Sequence, residues 1–144
     1  MKILGIDMGE KRIGLAISDP LGYTAQGIKT IQVNSPEEIC DKIILVIKEN
    51  NIDFLVFGLP KNMNGSLGPQ AKKVQEYAEK IKSLSGLPVD FEDERLSTAS
   101  AEQVLLMADQ SRSKRKKVID KLAAVIILQS YLDRKSIEKN KGLS

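Results

Sequence analysis

The stretch KILGIDMGEKRIGLAISD, residues 2–19, decides the fold of this chain. Two apolar runs, residues 2–7 and 12–18, flank a short turn whose glycine is expected to supply a positive φ angle, and this spacing predicts a β-hairpin. The first run ends on a carboxylate, Asp7. Because apolar residues occupy both faces of that run, it is predicted to be a central strand covered on both sides.

Strand and helix patterns alternate along the rest of the chain. The elements predicted after the hairpin are, in order, a strand at 25–32, a helix within 34–50, a strand at 53–60, a helix at 68–84, a strand within 87–93, a helix starting in 97–109 and a helix at 117–135. Ser35 and Pro36 suit the start of the first helix, and Glu38 completes a capping box. An antiparallel start followed by parallel crossovers predicts an α/β fold with a mixed sheet.

Composition restricts the chemistry that this chain can perform. Its 144 residues include no histidine, which excludes a Ser-His or Cys-His catalytic couple and a histidine-ligated zinc site. The single cysteine, Cys40, excludes a disulfide within the chain. Charged residues make up 28% of the sequence, and no apolar run approaches the roughly 18–20 residues of a membrane span. A cytoplasmic protein with no membrane contact is expected. If it is an enzyme, its chemistry must rest on carboxylates, Lys, Ser, Tyr or the backbone, and carboxylates alone suit hard cations such as Mg²⁺ or Mn²⁺.

Asp7 is the first of three carboxylates in unusual positions. It shares a strand face with Ile3 and Gly5, where an ionised carboxylate buried without compensation would be costly. It lies at the carboxyl end of its strand, where open α/β sheets bind ligands, and a bound cation would offset the desolvation. The structural alternative is an aspartate that only caps the backbone of the turn.

Asp120 is the second carboxylate of this kind. On a helical wheel it aligns with apolar positions that should face the sheet, namely Ala123, Ala124, Ile127 and Tyr131. It also lies in the first turns of the last helix, where the helix dipole favours an anion. A ligand role and a purely helix-stabilising role both fit this position.

The sequence FEDERLST, residues 91–98, places a third group of acids between a strand end and a helix start. Strand parity does not choose between Asp93 and Glu94, and a solvated loop is the alternative. Two strand ends and a helix start can converge on one point. Two divalent ions about 3.5–4 Å apart, held by carboxylates, catalyse in-line attack of water on a phosphodiester, so the combination indicates a nuclease.

Basic residues are concentrated in the sequence SRSKRKK, residues 111–117. This basic arm contains Arg112, Lys114, Arg115, Lys116 and Lys117. A solvated loop and an arm that contacts nucleic-acid phosphates both fit such a run.

Further basic and polar residues lie close in sequence to the acids. Lys11 and Arg12 follow Asp7 around the hairpin turn, and Arg95 follows the acidic group. Each suits either a phosphate contact or an ion pair with a carboxylate. The loop GLPKNMNGS, which contains Lys61 and Asn62, either lines a substrate groove or serves only backbone geometry.

Four blocks of this sequence resemble the signature blocks of the YqgF family, also called RuvX-like. They are GIDMGEKRIGLAISD, GLPKNMNGS, DERLST and IDKLAAVIILQSYL, which occur in the family's order and extend over nearly the whole chain. The resemblance implies an RNase H-like fold, which is a five-stranded mixed sheet with antiparallel first three strands and flanking helices. It further implies one nuclease domain over residues 1–144.

The same resemblance implies roles for particular residues. Asp7, Glu94 and Asp120 are expected to be catalytic acids that bind one or two Mg²⁺ or Mn²⁺ ions, with Asp93 as a helper. In the wider RNase H fold another acid often ends the fourth strand. Here that strand reads LVFGLP and offers none.

The implied function is a metal-dependent nuclease that processes the 5′ end of the 16S rRNA precursor in ribosome biogenesis. Its expected partner is structured nucleic acid, either the rRNA precursor or branched DNA, and it is expected to be a monomer or a homodimer. The alternatives are a Holliday-junction resolvase-like endonuclease and a non-catalytic nucleic-acid-binding module. A nucleotide-hydrolysing protein is a weaker alternative, because GIDMG resembles the first phosphate loop of actin-like ATPases but no second such loop follows.

Overall fold

A computed structural model describes residues 1–94 and 122–136 and shows one sheet with the strand order β3-β2-β1-β4-β5. The strands are β1 (Ile3–Met8), β2 (Arg12–Ser18), β3 (Ala25–Gln32), β4 (Phe54–Leu59) and β5 (Val89–Asp93), and the helices are α1 (Pro36–Asn50), α2 (Pro69–Ser85) and helix 122–136. β2 is antiparallel to β1 and β3, whereas β4 is parallel to β1 and β5. The predicted mixed α/β sheet is confirmed. None of the described helices is long and apolar enough to cross a membrane.

The β1–β2 turn depends on a close approach of two backbone segments. The Gly9 N–H donates a hydrogen bond of 2.8 Å to the carbonyl oxygen of Arg12. A Cβ at Gly9 would lie 2.7 Å from that oxygen, so a side chain would disrupt the turn. The expected positive φ at this glycine is wrong, because Gly9 does not adopt one. The glycine is needed for space, not for a left-handed backbone.

The two faces of the sheet pack against different helices. Buried residues on one face meet α1 and α2, and they include Leu4, Ile6, Leu15, Ile43, Val46, Phe57, Val74, Ala78 and Ile81. Buried residues on the other face meet helix 122–136, and they include Ile3, Ala16, Val56, Ala124, Ile127, Leu128 and Tyr131. Apolar residues at helical spacing predict the buried faces of α1 (Ile39, Ile43, Val46 and Ile47) and of α2 (Val74, Tyr77, Ala78 and Ile81). These faces are confirmed, except that Tyr77 is only partly buried.

The first turn of α1 differs from the predicted capping box. Ser35 is the N-cap and Pro36 follows it, as predicted, but the Ser35 hydroxyl makes no capping hydrogen bond. Glu38 Oε2 accepts a hydrogen bond of 3.3 Å from the N–H of Asn34 instead, and it lies 3.2 Å from the Lys42 ammonium. Glu38 therefore bonds to the backbone of Asn34, one residue before the N-cap, and not to the backbone of Ser35 as a capping box predicts.

Helix 122–136 crosses the sheet in close contact with β1. A Cβ at Gly5 would lie 2.8 Å from the Cβ of Leu128, so the two elements can approach this closely only at a glycine. Further along the helix, Tyr131 packs against Phe54, the first residue of β4, with ring centroids 6.1 Å apart. The amino end of the helix therefore points toward the carboxyl ends of β1 and β4.

The same helix is fixed to the edge strand β5 by polar contacts that the sequence did not predict. Glu92 is buried, and its Oε1 accepts a hydrogen bond of 2.8 Å from Arg134 while its Oε2 accepts one of 2.9 Å from Ser130. The Tyr131 hydroxyl donates a hydrogen bond of 2.9 Å to Asp90. Burial and this bond to Asp90 raise the pKa of Tyr131 well above its ordinary value.

Replacing Arg134 by methionine is expected to lower the free energy of unfolding by about 1–3 kcal/mol, because it leaves the Glu92 carboxylate buried without its cation. The Arg134 side chain is 42% exposed, which keeps the loss below that of a fully buried pair. Lys135→Met is the matched control, since its ammonium lies 4.0 Å from a half-exposed Asp90. Urea unfolding should separate the two variants, and equal stabilities would contradict this account of Glu92.

Candidate active site

The carboxyl ends of three parallel strands meet at one edge of the sheet, and Asp7 lies there. Within β1, Asp7 is half-buried, whereas the other five residues are buried. It pairs with Gly14 of β2 and precedes the last residue of its strand. Its side chain is on the face covered by helix 122–136, because it alternates with Ile6 and Met8, which pack toward α1 and α2.

Glu94 reaches the same edge from β5. It follows the last residue of that strand, and its N–H donates a hydrogen bond of 3.3 Å to the carbonyl oxygen of Leu59, where β4 ends. Its carboxylate lies over Gly58, and its Oε2 is completely buried. A Cβ at Gly58 would collide with this Oε2 and with Ile127, so the glycine makes the room that the acid occupies.

Asp7 and Glu94 influence each other directly. Burial, the negative charge of Asp7 and a hydrogen bond to Asp7 together raise the pKa of Glu94 to about 8, and burial is the largest of these causes. The charge of Asp93 adds a smaller increase. In the metal-free protein at neutral pH, protonated Glu94 therefore donates a hydrogen bond to the Asp7 carboxylate.

The structure distinguishes the two acids that strand parity left open. Asp93 is exposed, whereas Glu94 is brought against Asp7 over the floor formed by Gly58. The sequence could not show this, because Glu94 lies one residue beyond the end of β5 and strand alternation does not apply there.

The raised pKa of Glu94 predicts that the metal-free protein becomes less stable as pH increases. The unfolded chain releases this proton near the ordinary value of 4.5, whereas the folded chain keeps it until about 8. Between these values the folded state binds more protons, so its stability falls by up to about 1.4 kcal/mol per pH unit from this group. Urea unfolding in a chelator at pH 5, 6, 7 and 8 measures the effect.

Two variants complete that measurement. Glu94→Gln should remove this part of the decline, whereas Glu37→Gln, at an exposed position of α1, should leave it unchanged. If the stability of the wild type and that of Glu94→Gln changed with pH in the same way, the pKa of Glu94 would be an ordinary one.

The described part of this site fits a hard divalent cation, although it does not complete a cage. Its donors are carboxylate oxygens, which Mg²⁺ and Mn²⁺ prefer. The carboxyl groups of Asp7 and Glu94 are held against each other, and Glu94 Oε2 is buried. Within residues 1–94 and 122–136, no three acidic, histidine or cysteine side chains form a metal-binding group. Asp120, the third predicted ligand, lies outside the described residues.

The structure describes some, but not all, of the basic residues that were predicted to lie near the site. Arg12 is half-buried and lies two residues before Gly14, on the strand face that Asp7 also occupies. Lys11 is exposed in the adjacent turn. Arg95 and the basic arm lie outside the described residues.

The loop after β4 is organised by its own side chains. The Asn62 amide donates a hydrogen bond of 3.0 Å to the Ser66 hydroxyl, which in turn donates one of 2.6 Å to Asn64. The Asn62 side chain also packs on Gly68, where a Cβ would lie 2.9 Å from its Oδ1. Asn62 therefore has a clear structural role, while the half-buried Lys61 lies beside the carboxyl end of β4.

Sequence reasoning missed Gly58 as a determinant of the site. The sequence pattern predicts a strand at 53–60 without a special role for Gly58, and the residue is paired inside β4 opposite Glu92. A glycine inside a strand is a known sign of close approach by another group, and this was the available signal.

The sheet order, the helices on both faces and the acids at the carboxyl edge together define an RNase H-like fold. A solved structure of Thermus thermophilus RuvC in complex with a Holliday junction substrate has this fold. The two align with a TM-score of 0.60 at 17% identity, covering 94% of this chain and 96% of that one. A likeness at this level of identity establishes the fold alone.

Sequence comparison identifies the family. Residues 1–134 match the family model described as RuvX: Holliday junction resolvase. A Bacillus cytotoxicus protein described as a candidate pre-16S rRNA nuclease is 53% identical over 137 residues, which is 94% of this chain and 100% of the relative. A Clostridioides difficile protein with the same description is 55% identical over 134 residues, 93% of this chain and 95% of the relative. The chain belongs to the RuvX family, as its four sequence blocks predicted.

Proposed function

We propose that this chain is a metal-dependent nuclease that hydrolyses phosphodiester bonds and processes the 5′ end of the 16S rRNA precursor. The observation that carries the proposal is the pair Asp7 and Glu94, held against each other at the carboxyl edge of the sheet, with Glu94 Oε2 buried and the pKa of Glu94 raised to about 8. A bound cation would remove the cost of this arrangement. The descriptions of its close relatives supply the RNA substrate.

Asp7, Glu94 and Asp120 are the residues that would hold one or two Mg²⁺ or Mn²⁺ ions in the single domain of residues 1–144. When bound, such ions activate a water molecule and stabilise charge on the leaving oxygen. The chain contributes fixed positions for the carboxylates: β1 orients Asp7, and Gly58 with Ile127 encloses Glu94. Glu94 must lose its proton before it can bind a cation.

A second candidate function is cleavage of four-way DNA junctions. It is supported by the family description and by the fold shared with a resolvase that binds such a junction. Both candidates use the same acids and the same phosphodiester chemistry. They differ in the nucleic acid that reaches the sheet edge.

Contacts to the nucleic-acid backbone are assigned to basic residues around that edge. Lys11, Arg12 and Lys61 follow the carboxyl ends of β1 and β4 and are suited to phosphates next to the cleaved bond. Arg95 and the basic arm are proposed to extend the contact along the strand. Because the formal net charge is only +3, such local concentrations of positive charge have to supply the attraction.

Replacing the five basic residues of the basic arm by glutamine is expected to weaken nucleic-acid binding and to reduce the dependence of its affinity on salt concentration. Each lost phosphate contact to a duplex reduces the slope of log K against log salt by about 0.9, so the full effect is up to about 4.5. Fluorescence anisotropy between low and moderate salt measures the slope. A control with Lys29, Lys48 and Lys82 changed to glutamine, all exposed, should keep the wild-type slope. An unchanged slope in the arm variant would make the arm a solvated loop.

The proposed function is tested by offering two substrates to the purified protein. One is an RNA fragment that spans the 5′ end of the 16S rRNA precursor, and the other is a four-way DNA junction, each with Mg²⁺, Mn²⁺ or a chelator. Metal-dependent cleavage of the RNA, absent in Asp7→Asn, supports the proposal. Cleavage of the junction alone favours the second candidate. Binding of either without cleavage would point to a non-catalytic module.

A further inference from the structure

We propose that a cavity on the opposite side of β1 from Asp7 binds an unpaired nucleobase of the substrate strand, close to the bond that is cleaved. The inference rests on the proposed nuclease function and specifies what part of the substrate is recognised. The cavity has a volume of about 140 Å³. Three segments form it, namely the turn after β1, the junction between β3 and α1, and the first half of α2.

The inner surface of this base cavity is apolar and contains an aromatic ring. Met8, Ile39 and Val74 are buried and form its floor, and Tyr77 stands at its wall. Lys80 lies over the Tyr77 ring at 5.7 Å. Nucleobases stack on aromatic and apolar side chains whatever their sequence. The volume is below the roughly 300–1,000 Å³ of pockets that enclose drug-sized ligands, and it suits a single ring system.

The rim of the base cavity carries groups that can pair with the edge of a base. Asn34 and Gln70 line it from two different segments, and carboxamides make paired hydrogen bonds with base edges. Ser35 also lines it, and its hydroxyl is not used to cap α1 although an N-cap serine usually is. These polar groups surround an apolar floor, which is the arrangement expected for a flat heterocycle.

The charge of the lining favours a base over a phosphate. Lys73 contributes one positive charge and Glu10 one negative charge, so the two side chains offset each other. The start of α1 adds only the partial positive charge of a helix end. Most of the affinity of proteins for nucleic-acid phosphates comes from the net positive charge of Lys and Arg side chains. A neutral ring therefore fits this lining better than the backbone of the strand does.

The base cavity is close enough to the acids to hold a nucleotide next to the cleaved bond. Met8, Gly9 and Glu10 line the cavity, and Asp7 precedes them with its side chain on the other face of the sheet. Glu10 is three residues after Asp7, and three residues of chain span at most about 10 Å even when fully extended. A strand that crosses the sheet edge can thus place a phosphate at the acids and a neighbouring base in the cavity.

This arrangement predicts which nucleic acids are preferred. A base can enter the cavity only when it is unpaired or rotated out of its stack, and unpairing costs energy in a perfect duplex. Strand ends, bulges and branch points supply such a base at little cost. The protein is therefore expected to prefer substrates with an unpaired nucleotide beside the cleavage site.

The first experiment tests the base cavity without any cleavage. Nuclear magnetic resonance spectra of the ¹⁵N-labelled protein are recorded with adenosine 5′-monophosphate, uridine 5′-monophosphate and ribose 5-phosphate. A nucleotide should shift the amide signals of Gly9, Asn34 and Gln70, whereas ribose 5-phosphate should not. Gln70→Trp should abolish the response, and Glu79→Trp, an exposed position of the same helix, should retain it. Equal shifts from ribose 5-phosphate, or none from either nucleotide, would overturn the proposal.

The second experiment separates a base in the substrate strand from a free nucleotide. The Asp7→Asn protein is titrated with a duplex that carries one unpaired nucleotide and with the same duplex abasic at that nucleotide. Removing the base should weaken binding about tenfold, and Gln70→Trp should abolish the difference. Equal affinity for the two duplexes would overturn the substrate role even if free nucleotides bind. Because only binding is measured, a failure here is distinct from a failure to find nuclease activity.

Discussion

Replacement of Asp7 by asparagine is expected to lower the rate of phosphodiester cleavage by about 1,000-fold or more without unfolding the protein. The variant keeps the shape of the side chain but removes a negative charge that would bind the cation. It also removes the repulsion that raises the pKa of Glu94, so its melting temperature in a chelator should equal or exceed that of the wild type. Cleavage is measured with whichever substrate the wild-type protein cuts.

Asp41→Asn is the matched control for this variant. Asp41 is exposed on α1, which packs on the opposite face of the sheet, so its replacement should change neither rate nor stability. A fully active Asp7→Asn protein would remove Asp7 from the reaction. A variant that fails to fold would show instead that Asp7 is a structural residue of the hairpin.

Replacement of Gly58 by alanine is expected to reduce cleavage by about 100-fold and to destabilise the protein by about 1–3 kcal/mol. The added methyl group would occupy the space of Glu94 Oε2 and of the Ile127 side chain. Because β4 is paired on both sides, with β1 and with β5, its backbone cannot easily move away, and the carboxylate must be displaced from Asp7. Initial rates and urea unfolding, measured on the same preparation, give the two effects.

Val56→Ala is the control that separates an effect of lower stability from an effect of displacing the Glu94 carboxylate. Val56 is buried on the same strand and on the same face, two residues before Gly58, so its truncation should cost about 1–3 kcal/mol by leaving a cavity. It does not touch the acids in this account, and its cleavage rate should stay within about threefold of the wild type. Full activity in Gly58→Ala would show that Glu94 does not need the position that it occupies.

The sheet and its helices could be predicted because local patterns determine them. Two apolar runs around a short turn in the first 18 residues predict the hairpin, and the apolar residues on both faces of β1 predict its central position. Helical periodicity identified the buried face of α1 and most of that of α2. Asp7 is predicted to be a site residue from the same pattern, because a charge in such an apolar strand violates it.

The remaining features depend on contacts between residues distant in sequence. Glu94 and Gly58 are 36 positions apart, and neither residue alone shows that one makes room for the other. The buried Glu92 of β5 is compensated by Arg134, a residue of the helix that crosses the sheet. A sequence pattern marks each of these residues as charged or small, but only the strand order brings the partners together.

Calorimetric titration of the protein with Mn²⁺ tests most directly the claim that Asp7 and Glu94 bind a cation. The account predicts saturable binding by the wild type and by Asp41→Asn, and at least about a tenfold loss of affinity in Asp7→Asn and in Glu94→Gln. It also predicts that wild-type binding near pH 7 releases a proton, because protonated Glu94 must ionise to bind the ion. Wild-type affinity in both acid variants, with no proton released, would contradict it.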